Sequence, residues 1–188
     1  MTTIIRSDLV ISETYKLIDA TQVAPGVKIS VLPGATLDLG GFELLNYGTI
    51  ALEGDTAKFA VVKNGIYSTK STSGSFITNY GNIKDLTVDG FFSEGYLEIV
   101  NSLVETSQID ALQTNFISKS IFKSSPLDFG IKSVTVDQVT FSESKISISA
   151  WAYSPYSSSL VEISKSNFIL YHSFIHLPLI QETLSNLY

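Results

Sequence analysis

Val23-Ala24-Pro25-Gly26-Val27-Lys28-Ile29-Ser30-Val31-Leu32-Pro33-Gly34-Ala35-Thr36-Leu37-Asp38-Leu39-Gly40-Gly41-Phe42-Glu43-Leu44-Leu45-Asn46-Tyr47-Gly48-Thr49-Ile50-Ala51-Leu52 is the stretch that decides the fold. Val27, Ile29 and Val31 alternate with Lys28 and Ser30, and Leu37 and Leu39 flank Asp38, which is the period-two signature of short strands. Pro25-Gly26, Pro33-Gly34 and Gly40-Gly41 separate these runs. Such corners redirect a chain without giving it the two-residue loop of a hairpin.

Outward from this stretch the chain keeps the same character. Leu9-Val10-Ile11 and Tyr15-Lys16-Leu17-Ile18 precede it. Short strand-like runs follow it, among them 83–88, 97–100, 131–141, 146–148, 160–163 and 168–177. Helical periodicity is confined to the end: Pro178 sits at a first-turn position, and Ile180, Leu184 and Leu187 share a face at i, i+4 and i+7. Residues 178–188 are therefore expected to form a C-terminal capping helix.

Repetition is the second signal. Asn46-Tyr47-Gly48 returns 33 residues later as Asn79-Tyr80-Gly81. A weaker echo, a polar pair before an apolar residue, recurs at Asp89, Asn101, Lys119, Asp137 and Lys165 with irregular spacing. A fixed local signature with variable spacing is expected of a solenoid whose outer loops differ in length. If these signatures lie in register, the five residues form one column about 4.8 Å apart, a mixed ladder of charges and amides.

The Val23–Leu52 run, the Asn-Tyr-Gly-Thr-Ile that closes it and the later Val161-Glu162-Ile163-Ser164-Lys165-Ser166-Asn167-Phe168 resemble coils of right-handed parallel β-helix proteins of the pectin-lyase-like superfamily. The resemblance implies an all-β, right-handed parallel β-helix in a single domain spanning 1–188. Its N-terminal lead-in and cap would cover 1–22, rungs 23–177 and a helical cap 178–188. The alternative is an antiparallel β-sandwich, favoured by the hairpin-like pairs Asn64-Gly65 and Asp89-Gly90.

Composition narrows the chemistry. The 188 residues carry a net charge of −6, with Arg6 the single arginine. Neutralising phosphates needs a concentrated basic face, so nucleic acid is not an expected partner. Ser and Thr make up roughly a quarter of the chain, which suggests a surface of hydroxyls in place of charge. With no cysteine, thiol nucleophiles, thiolate metal sites and disulfides are excluded. No run reaches the roughly 18 apolar residues of a membrane span.

Catalytic patterns are missing. The resemblance would imply a calcium held by clustered carboxylates with an Arg or Lys base, or else close aspartates, but Arg6 lies outside the rungs. Asp85 and Asp89 would share one strand face about 13 Å apart, beyond the roughly 5 to 9.5 Å of glycosidase carboxylates. His172 and His176, the two histidines, would be as far apart on a strand, so no metal site is expected. There is no Gly-x-Ser-x-Gly elbow and no phosphate-binding glycine loop. No catalytic residue and no cofactor is assigned.

One loop stands out. Trp151, Tyr153 and Tyr156 fall in the serine-rich stretch 149–159, where flat aromatic faces beside hydroxyls suit stacking on sugar rings. The expectation is a non-catalytic structural or carbohydrate-binding module of a secreted or surface protein, with a glycan as partner and Trp151, Tyr153 and Tyr156 as binding residues. A polysaccharide lyase, hydrolase or epimerase and a self-associating assembly element are the alternatives.

Overall fold

A computed structural model describes residues 2–69, 74–89, 95–110, 114–129, 133–144, 146–148, 160–164 and 167–169. Within them the chain is all β, and every strand pairing is parallel. Parallel pairing throughout excludes the antiparallel sandwich, because two sheets of hairpins would pair sequential strands head to tail. Numbering strands in chain order, the first face of the solenoid stacks β2 (Leu9–Ile11), β5 (Lys28–Val31), β8 (Thr49–Glu53), β10 (Ser75–Asn79), β12 (Tyr96–Val100), β15 (Thr114–Ser118), β18 (Ser133–Asp137) and β21 (Leu160–Ser164). The second stacks β3 (Thr14–Lys16), β6 (Thr36–Asp38), the first halves of β9 (Ala60–Ser68) and β11 (Gly81–Asp89), then β13 (Leu103–Glu105), β16 (Ile121–Lys123), β19 (Thr140–Ser142) and β22 (Asn167–Ile169). The third stacks β1 (Thr2–Ile5), β4 (Ala20–Val23), β7 (Glu43–Asn46), the second halves of β9 and β11, then β14 (Gln108–Asp110), β17 (Leu127–Phe129) and β20 (Ile146–Ile148). The expected C-terminal helix, 178–188, lies outside the described residues.

The opening stretch contains one full circuit. Pro25-Gly26 leads from the third face into β5, Pro33-Gly34 leads from β5 to β6, and Gly40-Gly41 leads from β6 to β7. All four of these glycines have positive φ, between 62° and 86°. Later coils turn the same corners with side-chain-bearing residues in the left-handed region. Tyr80, Asn101, Lys119 and Gln138 stand between the first and second faces, and Asn64, Asp85, Thr106, Ser124 and Glu143 between the second and third. Each such residue costs roughly 1–2 kcal/mol of backbone strain. The ladder bond survives the turn nonetheless: the amides of Tyr80, Asn101 and Lys119 donate to Val100, Ser118 and Asp137 of the next coil at 3.2, 3.1 and 3.0 Å.

Serine completes these corners, correcting the expectation that hydroxyls serve mainly the surface. Buried Ser102 and Ser120 follow the first corner, and buried Ser107, Ser125 and Ser144 follow the second. Each Oγ accepts the amide N–H of the coil before it: Gly81 to Ser102 at 3.0 Å, Ser102 to Ser120 at 3.1 Å, Leu86 to Ser107 at 3.1 Å, Ser107 to Ser125 at 3.1 Å and Ser125 to Ser144 at 3.0 Å. The same hydroxyls donate back to the carbonyl two residues earlier, as Ser120 does to Ser118 at 2.7 Å. A hydroxyl both donates and accepts, so one serine at each of these corners satisfies two buried backbone groups that the corner would otherwise orphan.

The core is a set of columns. Leu37, Val62, Ile83, Val104, Phe122 and Phe141 stack along the second face, all buried. Ile29, Ile50, Phe76 and Leu97 stack along the first. Tyr67 packs on Phe76 and Phe122 on Phe141 with ring centroids 4.8 and 5.1 Å apart, close to the strand spacing.

Register corrects two expectations from repetition. Asn46 ends β7, at the corner from the third face to the first, whereas Asn79 ends β10, at the corner from first to second. The two Asn-Tyr-Gly copies therefore occupy different corners, and their 33-residue separation is not a coil. Coil partners lie 18 to 21 residues apart where the serines mark them. The proposed column of Asp89, Asn101, Lys119, Asp137 and Lys165 is likewise not one column. Asn101 and Lys119 follow the register partners Val100 and Ser118, but Asp137 itself pairs with Ser118, so Gln138 takes the next position. Asp89 belongs to the third face, and Lys165 lies outside the described residues. At Asn101, Lys119 and Asp137-Gln138 the signature marks a left-handed corner, but each coil has more than one such corner and Asp89 is a strand residue, so sequence spacing alone aligns the wrong ones.

Candidate functional site: an acidic outer column

On the third face, alternation sends Leu44, Tyr67, Val88, Ile109 and Leu127 into the core. The residue after each takes the outward position of the alternation, and register stacks these as Leu45, Ser68, Asp89, Asp110 and Asp128; Ser68 is nonetheless buried, while the other four are half-buried. Three carboxylates thus stand on three successive coils, neighbours about 4.8 Å apart. Thr87 and Gln108 form the parallel outer column beside them, and the Gln108 amide donates to both carboxylate oxygens of Asp110, at 3.2 and 3.1 Å.

This arrangement differs from the charge column on the second face, where Lys16, Asp38, Lys63, Lys84, Glu105 and Lys123 are in register and the signs are mixed. There Asp38 is half-buried, which raises its pKa, yet hydrogen bonds from the Gly40 amide and the Asn64 side chain, with Lys63 and Lys16 nearby, hold its carboxyl below the usual range. Asp110 goes the other way. Burial pushes its carboxyl up, the Asp128 and Asp89 charges push it further, and the Gln108 hydrogen bond opposes them. Like charges directly opposite on adjacent strands destabilise a sheet, so an acid-only column lowers the stability of the fold that carries it. Local violations of this kind concentrate where a surface has a task.

At the head of the column stands Ser68. It is fully buried, and its Oγ has no hydrogen-bond partner among the described residues. Among the described residues no group of three or more His, Cys, Asp or Glu side chains could hold a metal ion; a column spreads its carboxylates along an axis instead of converging them on a point.

Asp85 and Asp89, expected on one strand face, are separated by a bend: Asp85 is the left-handed corner residue, with φ of 49°, and accepts a hydrogen bond from Thr106 Oγ1. Trp151, Tyr153 and Tyr156 lie outside the described residues. His172 and His176 also lie outside the described residues.

On the first face a smaller polar cluster is present. Tyr96 donates its hydroxyl to Glu98 at 2.7 Å, and burial together with Glu98 pushes the phenol up to about 12. Glu98 is in register with the partly exposed Phe116.

Asp110 and Asp128 were legible only once the coils were aligned. Val88-Asp89, Ile109-Asp110 and Leu127-Asp128 repeat an apolar-Asp pair at the same 21- and 18-residue spacings as the corner serines.

The fold and this face define a parallel β-solenoid with an acidic stripe along one outer edge. No protein-family model, curated protein or solved structure matches the chain. Among the described residues no helix is long and apolar enough to cross a membrane.

Proposed function

We propose that the chain is a non-catalytic, glycan-binding β-solenoid module of a secreted or cell-surface protein, related in architecture to the pectin-lyase-like proteins that its coils resemble. The observation that carries this is the outward column of Asp89, Asp110 and Asp128, flanked by Thr87 and Gln108. Carboxylates, an amide and a hydroxyl on a rigid sheet are suitable partners for sugar hydroxyls, and rigidity limits the ordering cost of binding. Trp151, Tyr153 and Tyr156, the aromatic residues of the serine-rich stretch 149–159, would supply the stacking faces. Nucleic acid fits poorly, since phosphates would meet carboxylates.

A glycan-processing enzyme is the second reading. It is favoured by the spacing of about 4.8 Å between coils, close to the roughly 5–5.5 Å between the carboxyl groups of retaining glycosidases, and by the raised proton affinity of Asp110.

Glycan-array binding of the wild type, of Asp110→Asn and of Trp151→Ala tests the module. Each substitution is expected to weaken binding about tenfold, with no release of reducing ends by any variant. Asp110→Asn should do so without weakening the fold. A carboxyl whose pKa is raised on folding contributes stability at low pH that is lost as pH rises through the folded value. Near pH 7 ionised Asp110 therefore detracts from stability, and its amide should melt no lower than wild type. Unchanged glycan binding in both variants would remove the proposal, and reducing ends released by wild type but not by Asp110→Asn would replace it with the enzyme.

A further inference from the structure

The first coil carries an inference that is independent of what the outer faces bind. Its strands β1, β2 and β3 each pair with a single strand, on the second coil, and among the described residues no strand pairs with their other edge. The carbonyls of Ile5 and Ile11 accept second-coil amides, from Ala24 at 3.0 Å and Leu32 at 2.9 Å, and the Leu17 amide donates to the Asp38 carbonyl at 2.9 Å. Successive backbone groups of a strand point to opposite edges, so the N–H and C=O of Ile4, Val10 and Lys16 face away from the solenoid. Neither β1 nor β2 contains a charged residue or a proline, the usual means of blunting such an edge.

The side chains agree with the backbone. Tyr15 is 40% exposed where its column partner Leu37 is 1% exposed, and Ile5 and Leu9 are only partly buried beside fully buried Val23 and Ile29. Among the described residues eight large hydrophobics are exposed, and Ile4, Val10, Tyr15 and Ile18 put half of them on this one coil. Terminal repeats of a solenoid ordinarily present a polar face to water. This one leaves its core columns open.

A second copy of the chain fits this end. Turned head to head by a two-fold axis through Val10, the two β2 edges run antiparallel. Val10 then meets its own counterpart, Leu9 meets Ile11, Ile5 meets Tyr15 and Ile4 meets Lys16. The inward residues Ile5, Leu9, Ile11 and Tyr15 thus meet only one another and close the core columns, while the free backbone edges of Ile4, Val10 and Lys16 meet free edges. The same turn brings Arg6 beside Glu13 of the copy, so the corner charges are complementary. Residues 2–19 supply nearly the roughly 20–30 residues a side of a standard interface.

We propose that the chain dimerises head to head through its first coil, a closed two-fold contact that continues the β-ladders and caps the core.

Sedimentation equilibrium of the full chain over a wide concentration range tests this. The mass is expected to rise from monomer to dimer and no further. Val10→Pro removes an N–H that the coil's own ladder does not use, and should raise the dissociation constant at least about tenfold. Arg6→Glu should raise it about fivefold, and adding Glu13→Arg should restore the dimer, a rescue that a folding defect would not give. A monomer at every concentration, assembly beyond the dimer, or a dimer indifferent to both Val10→Pro and Arg6→Glu would overturn the proposal.

Discussion

Asn46→Leu is expected to lower the free energy of unfolding by about 4 kcal/mol, read from urea denaturation. Asn46 is fully buried where β7 gives way to β8. Its Nδ2 donates to the Gly48 carbonyl at 3.2 Å, to the Tyr67 hydroxyl at 2.9 Å and to the Ser75 carbonyl at 3.0 Å, while its Oδ1 accepts the Gly48 amide at 2.9 Å. One side chain thus ties its own corner to the strands on both sides of the same corner in the next coil. Leucine matches its size but leaves these groups in the interior, where each unsatisfied partner costs about 1–3 kcal/mol. The tight approach at Gly48 prevents relaxation, since even a Cβ there would run into the Val27 carbonyl. Asn79→Leu is the matched control. Asn79 carries the same Asn-Tyr-Gly motif but is exposed, its recorded side-chain bond being to Asn101 at 2.9 Å, so it should cost less than about 0.5 kcal/mol. Equal effects at the two asparagines would contradict the placement of the motif at two different corners.

Phe122→Ala should be nearly as damaging, about 3–5 kcal/mol. Phe122 is fully buried between Val104 and Phe141 in the second-face column, its ring 5.1 Å from that of Phe141. Truncation removes the transfer energy of the ring and leaves a void that stacked coils cannot close, because the hydrogen-bonded ladders fix their separation. In a solenoid each coil is supported mainly by its neighbours, so the denaturant slope should also fall as the coils beyond Phe122 uncouple from those before it. Phe116→Ala, on the outward side of β15 and 37% exposed, should cost under about 1 kcal/mol. A loss at Phe116 as large as that at Phe122 would mean that the first-face alternation is inverted.

The repeating coil was legible because its elements are local. Alternation in Ile29-Ser30-Val31 and Thr36-Leu37-Asp38, together with the Pro-Gly corners, states the strands and their corners without reference to anything distant. Register was not legible, since the corner chemistry changes along the chain. Glycine turns the second coil, while later coils use Asn101, Lys119 and Gln138 in the same left-handed role. Asparagine and glycine therefore mark corners without saying which corner. The serines were misread for a related reason: a hydroxyl looks like a surface group until its amide and carbonyl partners one coil away are known. The acidic column was hidden by the same ambiguity, since Asp89 joins Asp110 and Asp128 only when the coils are counted from the serine ladders.

That register underlies both the fold and the proposed glycan surface, and proximity cross-linking tests it most directly. The chain has no cysteine, so paired substitutions report cleanly. Asp110→Cys with Asp128→Cys should be joined rapidly by a short bifunctional thiol reagent, because these positions are register partners. Asp89→Cys with Asn101→Cys, the pair that sequence spacing would have stacked, should remain unlinked under the same conditions. Linkage of the second pair and not the first would contradict the acidic column and everything argued from it.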